Sequence, residues 1–132
     1  MYVHRTTVKL YDTDAAGVLF FGHQFRIAHE CYEAMMASIG FSISWIVRDS
    51  EYFIPIVHAE ADYKKPLFVD DPLELHLQPE RIGASSYTLV QDIRGRDGTT
   101  VGIVRTVHAT VNKKSGKSIP LPEDLRAALQ RL

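Results

Sequence analysis

The chain has almost no cysteine, no long apolar run, no excess of either charge and no internal repetition. With one cysteine in 132 residues, Cys31, an intrachain disulfide is excluded. Its place in a helical pattern favours a small packed hydrophobe over a nucleophile. No stretch approaches the roughly 20 apolar residues of a membrane-spanning helix. The opening MYVHRTTVKLY also lacks the apolar centre of a signal peptide, so a cytoplasmic protein with no membrane partner is expected. Fifteen basic residues against sixteen acidic ones leave a formal charge of −1, which gives no general attraction to nucleic acid. There is no G-x-S-x-G elbow, and His29 and Cys31 stand two apart on a helix and point in different directions. His23 and His29 are six apart, and no pair has the i, i+4 spacing of a helical zinc site. The sequence therefore calls for no metal and no cofactor.

What is present is an ordinary globular composition, 45% hydrophobic and 23% charged, sufficient for a single domain over residues 1–132. Tyr2, Thr6, Val8 and Leu10 alternate with Arg5, Thr7 and Lys9, which suggests a first strand. From about Gly22 to Ile39 the period becomes helical. Phe25, Ala28, Tyr32, Met35, Met36 and Ile39 mark one side, and Arg26, Glu30, Glu33 and Ser38 the other. Gly40 is a natural stop, and a short helical turn fits Ser42–Arg48.

Beyond Glu51 the period falls to two. Phe53, Pro55, Val57, Ala59, Ala61 and Tyr63 share one face of a strand, with Ile54, Ile56, His58, Glu60, Asp62 and Lys64 on the other. Leu73, Leu75 and Leu77 form a third strand, and Tyr87, Leu89 and Ile93 a fourth. In the fifth, Val101, Ile103, Val107, Ala109 and Val111 form the apolar side, with Arg105 as its exception. Turn signals separate these runs at Lys65-Pro66, Asp71-Pro72, Gly83, Gly95–Gly98 and Ser115-Gly116. A short helix follows Pro122, its first turn favoured by Glu123 and Asp124. Short connections imply an antiparallel sheet, and the one long amphipathic helix is its cover. The expected fold is therefore α+β: a five-stranded antiparallel sheet wrapped around one long central helix, with a short C-terminal helix.

The most informative stretch is Tyr11-Asp12-Thr13-Asp14-Ala15-Ala16-Gly17-Val18-Leu19-Phe20-Phe21-Gly22-His23-Gln24. Two carboxylates end a strand-like run, and small residues then lead into the long helix. A carboxylate is thereby held near the free N–H groups of a helix start, so a carbonyl between them would meet a base or nucleophile and an electrophilic dipole. An ester or thioester hydrolase needs both parts. Gly17 supplies a backbone conformation barred to residues with side chains.

This order of elements, with its D-x-D-x-x-G-x-x loop, resembles the hotdog-fold acyl-CoA thioesterases, and among them the 4-hydroxybenzoyl-CoA thioesterase group. A second match is Ala61-Asp62-Tyr63-Lys64-Lys65-Pro66-Leu67-Phe68-Val69-Asp70-Asp71, which resembles that group's second strand and turn. His29-Glu30-Cys31-Tyr32-Glu33 and Ile54-Pro55-Ile56-Val57-His58-Ala59 are similar to the 1,4-dihydroxy-2-naphthoyl-CoA thioesterases of quinone biosynthesis. The likeness covers nearly the whole chain. It implies an acyl-CoA substrate and a homodimer or dimer of dimers.

The resemblance puts the catalytic carboxylate on Asp14, acting as general base on water or as a nucleophile, while Asp12 becomes a loop-stabilising neighbour. It puts the oxyanion-polarising backbone N–H on Phe21, with Gly22 beside it. Glu30 and Glu33 are the alternative carboxylates, but their place beside Arg26 suits ion pairs. His58 is a candidate acyl-pocket contact, and Gly17 a candidate substrate-binding residue. The basic cluster that precedes the fourth strand in the 4-hydroxybenzoyl enzyme is replaced by Gly83-Ala84-Ser85-Ser86. Donors around Ser85 and Ser86, or Arg81, Lys64 and Lys65, are then left to meet the phosphates of coenzyme A. Lys113, Lys114 and Lys117 form either a solvated turn or a docking point for a phosphorylated ligand. An aromatic acyl group is the first expectation, a short- or medium-chain aliphatic one the second, and a non-catalytic acyl-CoA-binding module the alternative of another class.

Overall fold

Where apolar residues alternate the chain forms strands, and where they recur every three or four residues it coils. The computed structural model describes all 132 residues. β1 (Tyr2–Thr7) leads through a single 3-10 turn at Leu10–Asp12 to α1 (His23–Ser38) and α2 (Ile43–Arg48). Then come β2 (Tyr52–Phe53), β3 (Ile56–Tyr63), β4 (Pro72–Ile82), β5 (Ser86–Arg94), β6 (Thr100–Ala109), β7 (Val111–Asn112) and α3 (Glu123–Gln130). Five strands form one antiparallel sheet in the order β1-β4-β5-β6-β3, and β2 pairs with β7 in a separate two-stranded ribbon. The expected α+β architecture is present, the helical turn expected over Ser42–Arg48 forms α2, and the β2–β7 ribbon is added to it.

The sheet packs against α1. Ile27, Ala28, Cys31, Tyr32, Met35 and Met36 of that helix are buried with Leu73, Leu75 and Leu77 of β4, Tyr87, Leu89 and Ile93 of β5, and Val104 of β6. Each large side chain fully removed from water contributes about 1.5–3 kcal/mol, so this contact dominates the stability of the domain. Burial pushes the Cys31 thiol up to about 12, so it packs as an uncharged hydrophobe. Leu125, Ala128 and Leu129 of α3 bury themselves beside β4.

Two expectations change. The run from Phe53 to Lys64 is not one strand: it breaks at Ile54-Pro55, where proline has no N–H to give a ladder. It then bulges between Ile56, opposite His108, and His58, opposite Val107. The bulge reverses the alternation, so that Ile56 and Ala59, of opposite parity, line the same cavity. The faces of β6 are also the reverse of the hydropathy pattern. Val104, Thr106 and His108 are buried, while Ile103, Arg105 and Val107 are only partly so. Arg105 pairs with Glu80 at 3.0 Å, and a surface ion pair anchors that face outward. The polar residues Thr106 and His108 are thereby turned toward α1.

Candidate active site

The loop before α1 is held from below by Asp12. This carboxylate is fully buried, receives the Lys9 amide at 3.0 Å, and is clamped by Arg26 through Nε and, at 2.8 Å, Nη2. The Asp12 carbonyl accepts the Phe20 amide at 3.0 Å and lies 3.0 Å from Nδ1 of His23. Both ends of the loop are thus tied to one residue. Burial raises the Asp12 carboxyl, but the Arg26 hydrogen bond, the Lys9 amide and the nearby positive charges outweigh it and hold it below the usual carboxylate range.

A measurable acid sensitivity follows. Because the folded value lies below the unfolded value near 4, the stabilisation is complete above about pH 4 and is lost as pH falls through the folded value. Hydrogen bonds to charged groups contribute about 1.5–3 kcal/mol. Asp12→Ala should therefore lower unfolding free energy by about that much at pH 7 and by much less near pH 2, measured by urea titration. An equal loss at both pH values would show that the pair does not carry the effect.

Asp14 stands on the exposed side of the same loop. Its Oδ1 accepts the amides of Ala16 at 2.8 Å and Val18 at 3.3 Å, and its own amide donates to the Val18 carbonyl at 2.8 Å. Oδ2 makes no hydrogen bond and is free to take a proton or attack. Gly17 closes the turn at φ +77°, with nothing within 4 Å of where a Cβ would sit. Backbone conformation, and not lack of space, is what requires glycine there.

The entry to α1 leaves donors open. Gly22 caps the helix without any side-chain hydrogen bond, and the amides of Phe21 and Gly22 donate to no backbone or side-chain acceptor. Tyr63 of β3 donates its hydroxyl to the Phe21 carbonyl at 2.6 Å, which fixes the peptide plane carrying the Gly22 N–H. Gln24, buried one residue into the helix, donates to the Asp62 carbonyl at 3.1 Å and so ties the first turn to β3. A Cβ on Gly102 would lie 2.8 Å from the Gln24 amide group, so only glycine leaves β6 room for this tie. Sequence patterning singled out neither Tyr63 nor Gln24 as a positioning residue.

Two adjacent cavities lie along α1, beginning beside its first turn at Phe25. The first, about 400 Å³, is lined by Phe25, Ala28 and Tyr32 of the helix, Ile56 and Ala59 of β3, and a polar floor of Gln91, Thr106 and His108. The second, about 530 Å³, shares His29 and Tyr32 with it and continues past Ile43, Ile46, Phe53 and Val111. Both are mostly apolar and of the size that small-molecule sites occupy.

The other candidates lie elsewhere. Glu30 is engaged by His4 at 3.1 Å, Thr6 at 3.3 Å and Arg26 at 3.4 Å, and Glu33 lies 3.6 Å from His29. Burial raises the Glu30 carboxyl, but the His4 hydrogen bond and the charges of His4 and Arg26 bring it below its ordinary value. His58 is exposed on β3 and lines neither cavity. Ser85 and Ser86 make the β4–β5 turn: the Ser85 carbonyl accepts the Thr110 amide at 3.1 Å, and the Ser86 carbonyl accepts the Gly83 amide at 2.8 Å. Lys113 does not form a free basic cluster with Lys114 and Lys117. Its ammonium donates to the carbonyls of Ile46, Val47 and Ser50 at 2.7, 3.0 and 2.6 Å, capping the end of α2.

Comparison with known proteins gives a consistent picture. Residues 8–129 match the model of the thioesterase-like superfamily. A 1,4-dihydroxy-2-naphthoyl-CoA hydrolase of Thermosynechococcus vestitus is 32% identical over 127 residues, spanning 96% of this chain and 87% of its own. One from Gloeothece citriformis is 34% identical over 134 residues, spanning 100% of this chain and 94% of its own. The crystal structure of a 1,4-dihydroxy-2-naphthoyl-CoA thioesterase from Synechocystis superposes with a TM-score of 0.92 at 26% identity, covering 99% of this chain and 96% of that one.

Proposed function

We propose that this chain, which belongs to the thioesterase-like superfamily and is an acyl-CoA thioesterase, hydrolyses an aromatic acyl-CoA of the 1,4-dihydroxy-2-naphthoyl type. The observation that carries this is the 400 Å³ cavity beside the first turns of α1, walled by Phe25, Tyr32 and Ile56. A flat two-ring acyl group fills such a slot and stacks on its aromatic walls, whereas a two-carbon group leaves it empty. The relatives that act on 1,4-dihydroxy-2-naphthoyl-CoA support the same choice.

In the proposed reaction the thioester carbonyl lies between Asp14 and the amides of Phe21 and Gly22. Asp14 takes a proton from water as its oxygen attacks the carbonyl carbon, or attacks directly through Oδ2 to give an anhydride that water then opens. On either route the carbonyl oxygen becomes an oxyanion facing the two N–H donors. Collapse breaks the C–S bond and expels the CoA thiolate, which ends protonated as the free thiol. One such donor contributes about 3 kcal/mol of transition-state stabilisation. The active unit is proposed to be a homodimer or dimer of dimers, joined along β3.

Free-thiol release from 1,4-dihydroxy-2-naphthoyl-, benzoyl-, hexanoyl- and palmitoyl-CoA tests the substrate. The naphthoyl thioester should give the highest kcat/KM. Burial of one additional ring, at about 25 cal/mol per Å², is enough for a difference of at least ~10-fold over the aliphatic thioesters. A preference for hexanoyl- or palmitoyl-CoA would replace the aromatic assignment with an aliphatic one.

A further inference from the structure

Two residues that line the 400 Å³ cavity, Gln91 and His108, carry buried polar atoms that the hydrolysis above does not use. Gln91, on β5, is 1% exposed and donates its Nε2 to the Ala28 carbonyl at 2.8 Å, while its Oε1 has no partner. His108, on β6, is also 1% exposed. Its Nε2 lies 2.8 Å from the Thr106 hydroxyl, and its Nδ1 has no partner. The imidazole stacks with the rings of Tyr32 and Tyr87, with centroids 4.4 and 5.0 Å away. Burial pushes its pKa down to about 3, so the ring is neutral at ordinary pH. Buried polar atoms are nearly always hydrogen-bonded, and two unpartnered ones in residues lining one cavity point to a partner that comes from that cavity.

The two atoms also lie in order along the acyl path. Ala28, which holds Gln91, stands six residues past Gly22, about 9 Å along the helix axis; Tyr32, against His108, stands ten residues past it, about 15 Å. An acyl group extending from the helix entry therefore meets Gln91 first and His108 deeper. Gln91 Oε1 is an acceptor only, so its partner must donate. Neither a saturated acyl chain nor an unsubstituted ring has a donor to offer; a ring hydroxyl has.

We propose that Gln91, with His108 deeper on the same floor, recognises hydroxyl substituents on the ring of the acyl group. This rests on the aromatic assignment made above and names what distinguishes the preferred ring from an unsubstituted one. A site built to bond a hydroxyl rejects the analogue that lacks it, because its own buried acceptor is then left unpaired.

The test is kcat/KM for a matched pair, 1,4-dihydroxy-2-naphthoyl-CoA and 2-naphthoyl-CoA, in the wild type, Gln91→Leu and His108→Phe. Any intrinsic difference in thioester reactivity cancels when the ratio is compared between proteins. In the wild type the hydroxylated substrate should lead by about 10- to 100-fold. In Gln91→Leu that ratio should fall by at least ~10-fold, through loss on the hydroxylated ring and no loss, or a gain, on the bare one. His108→Phe, which keeps an aromatic ring stacked with the two tyrosines, should lower the ratio less. A purely structural role would reduce both substrates equally, so an unchanged ratio in both variants overturns the proposal.

Binding of the free acids to the wild type gives a second readout that needs no variant to fold. Equal affinity for 1,4-dihydroxy-2-naphthoate and 2-naphthoate would overturn hydroxyl recognition. Rapid hydrolysis of both naphthoyl thioesters at the same rate would remove it while leaving the aromatic assignment in place. Hydrolysis of aliphatic thioesters alone would remove both.

Discussion

Asp14→Asn should lower turnover by at least ~10²-fold while leaving the fold and the melting temperature close to wild type. The amide that replaces the carboxylate can still accept the Ala16 and Val18 amides on its oxygen, so the turn closed by Gly17 keeps its geometry. What it loses is the second oxygen as base or nucleophile, since Oδ2 takes no part in holding the loop. The contrast with Asp12 makes the test sharp. Asp12 is the buried, Arg26-bound carboxylate, and its replacement acts first on stability. Glu30→Gln and Glu33→Gln should keep substantial turnover, because Glu30 is engaged by His4, Thr6 and Arg26 and Glu33 stands exposed beside His29. Free-thiol release and circular dichroism on the four variants read both effects. Near wild-type turnover in Asp14→Asn, with Glu30→Gln or Glu33→Gln inactive, would move the catalytic carboxylate onto the helix.

The architecture was legible because its signals are local and repeated. The three- and four-residue spacing from Phe25 to Ile39 placed α1 to within one residue at each end, and alternation placed Leu73, Leu75, Leu77, Tyr87, Leu89 and Ile93 on the buried face. Pattern reading failed where function or geometry overrides hydropathy. On β6 the apolar side of the pattern is the less buried one, and Thr106 and His108 face inward because they line a cavity. The signal was present in Arg105: a charge on a supposed core face meant that the face was turned out. On β3 a single bulge between Ile56 and His58 reversed the register, and no alternation count detects one extra residue.

The site divides in the same way. Asp14, Gly17, Phe21 and Gly22 lie within nine consecutive residues, so a motif could hold them together. Tyr63, Gln24 and Gln91 act through hydrogen bonds to the Phe21, Asp62 and Ala28 carbonyls. Those partners are 42, 38 and 63 residues away in sequence, and only the closed sheet brings them into contact. Lys113 shows the converse: three lysines close in sequence resemble an anion site, yet one of them is committed to the carbonyls that end α2.

Substitution of Val57 by aspartate should convert the proposed dimer into a monomer and cost ~10²-fold or more in kcat/KM. β3 pairs with β6 on one side only, and its other edge offers eight residues of unpaired backbone. Along it Val57 is 60% exposed, and Ile56 and Tyr63 are exposed as well; Phe21, at the helix entry that Tyr63 holds, is 65% exposed. A second copy pairing through this edge would cover that apolar surface and bring His58 to the subunit boundary. Such symmetric closure also satisfies the edge without forming an open chain. The catalytic consequence follows from Ile56 and Ala59, which wall the acyl cavity from the same strand. Without a partner, Asp14 and the Phe21 and Gly22 amides face bulk water, where hydrogen bonds to a developing oxyanion are weaker and water competes for them. Sedimentation velocity and thiol release on the same samples, at micromolar protein, read assembly and activity together. Circular dichroism would confirm that Val57→Asp is folded. A wild-type chain that sediments as a monomer at full activity would overturn the dimer and place the complete site within one copy.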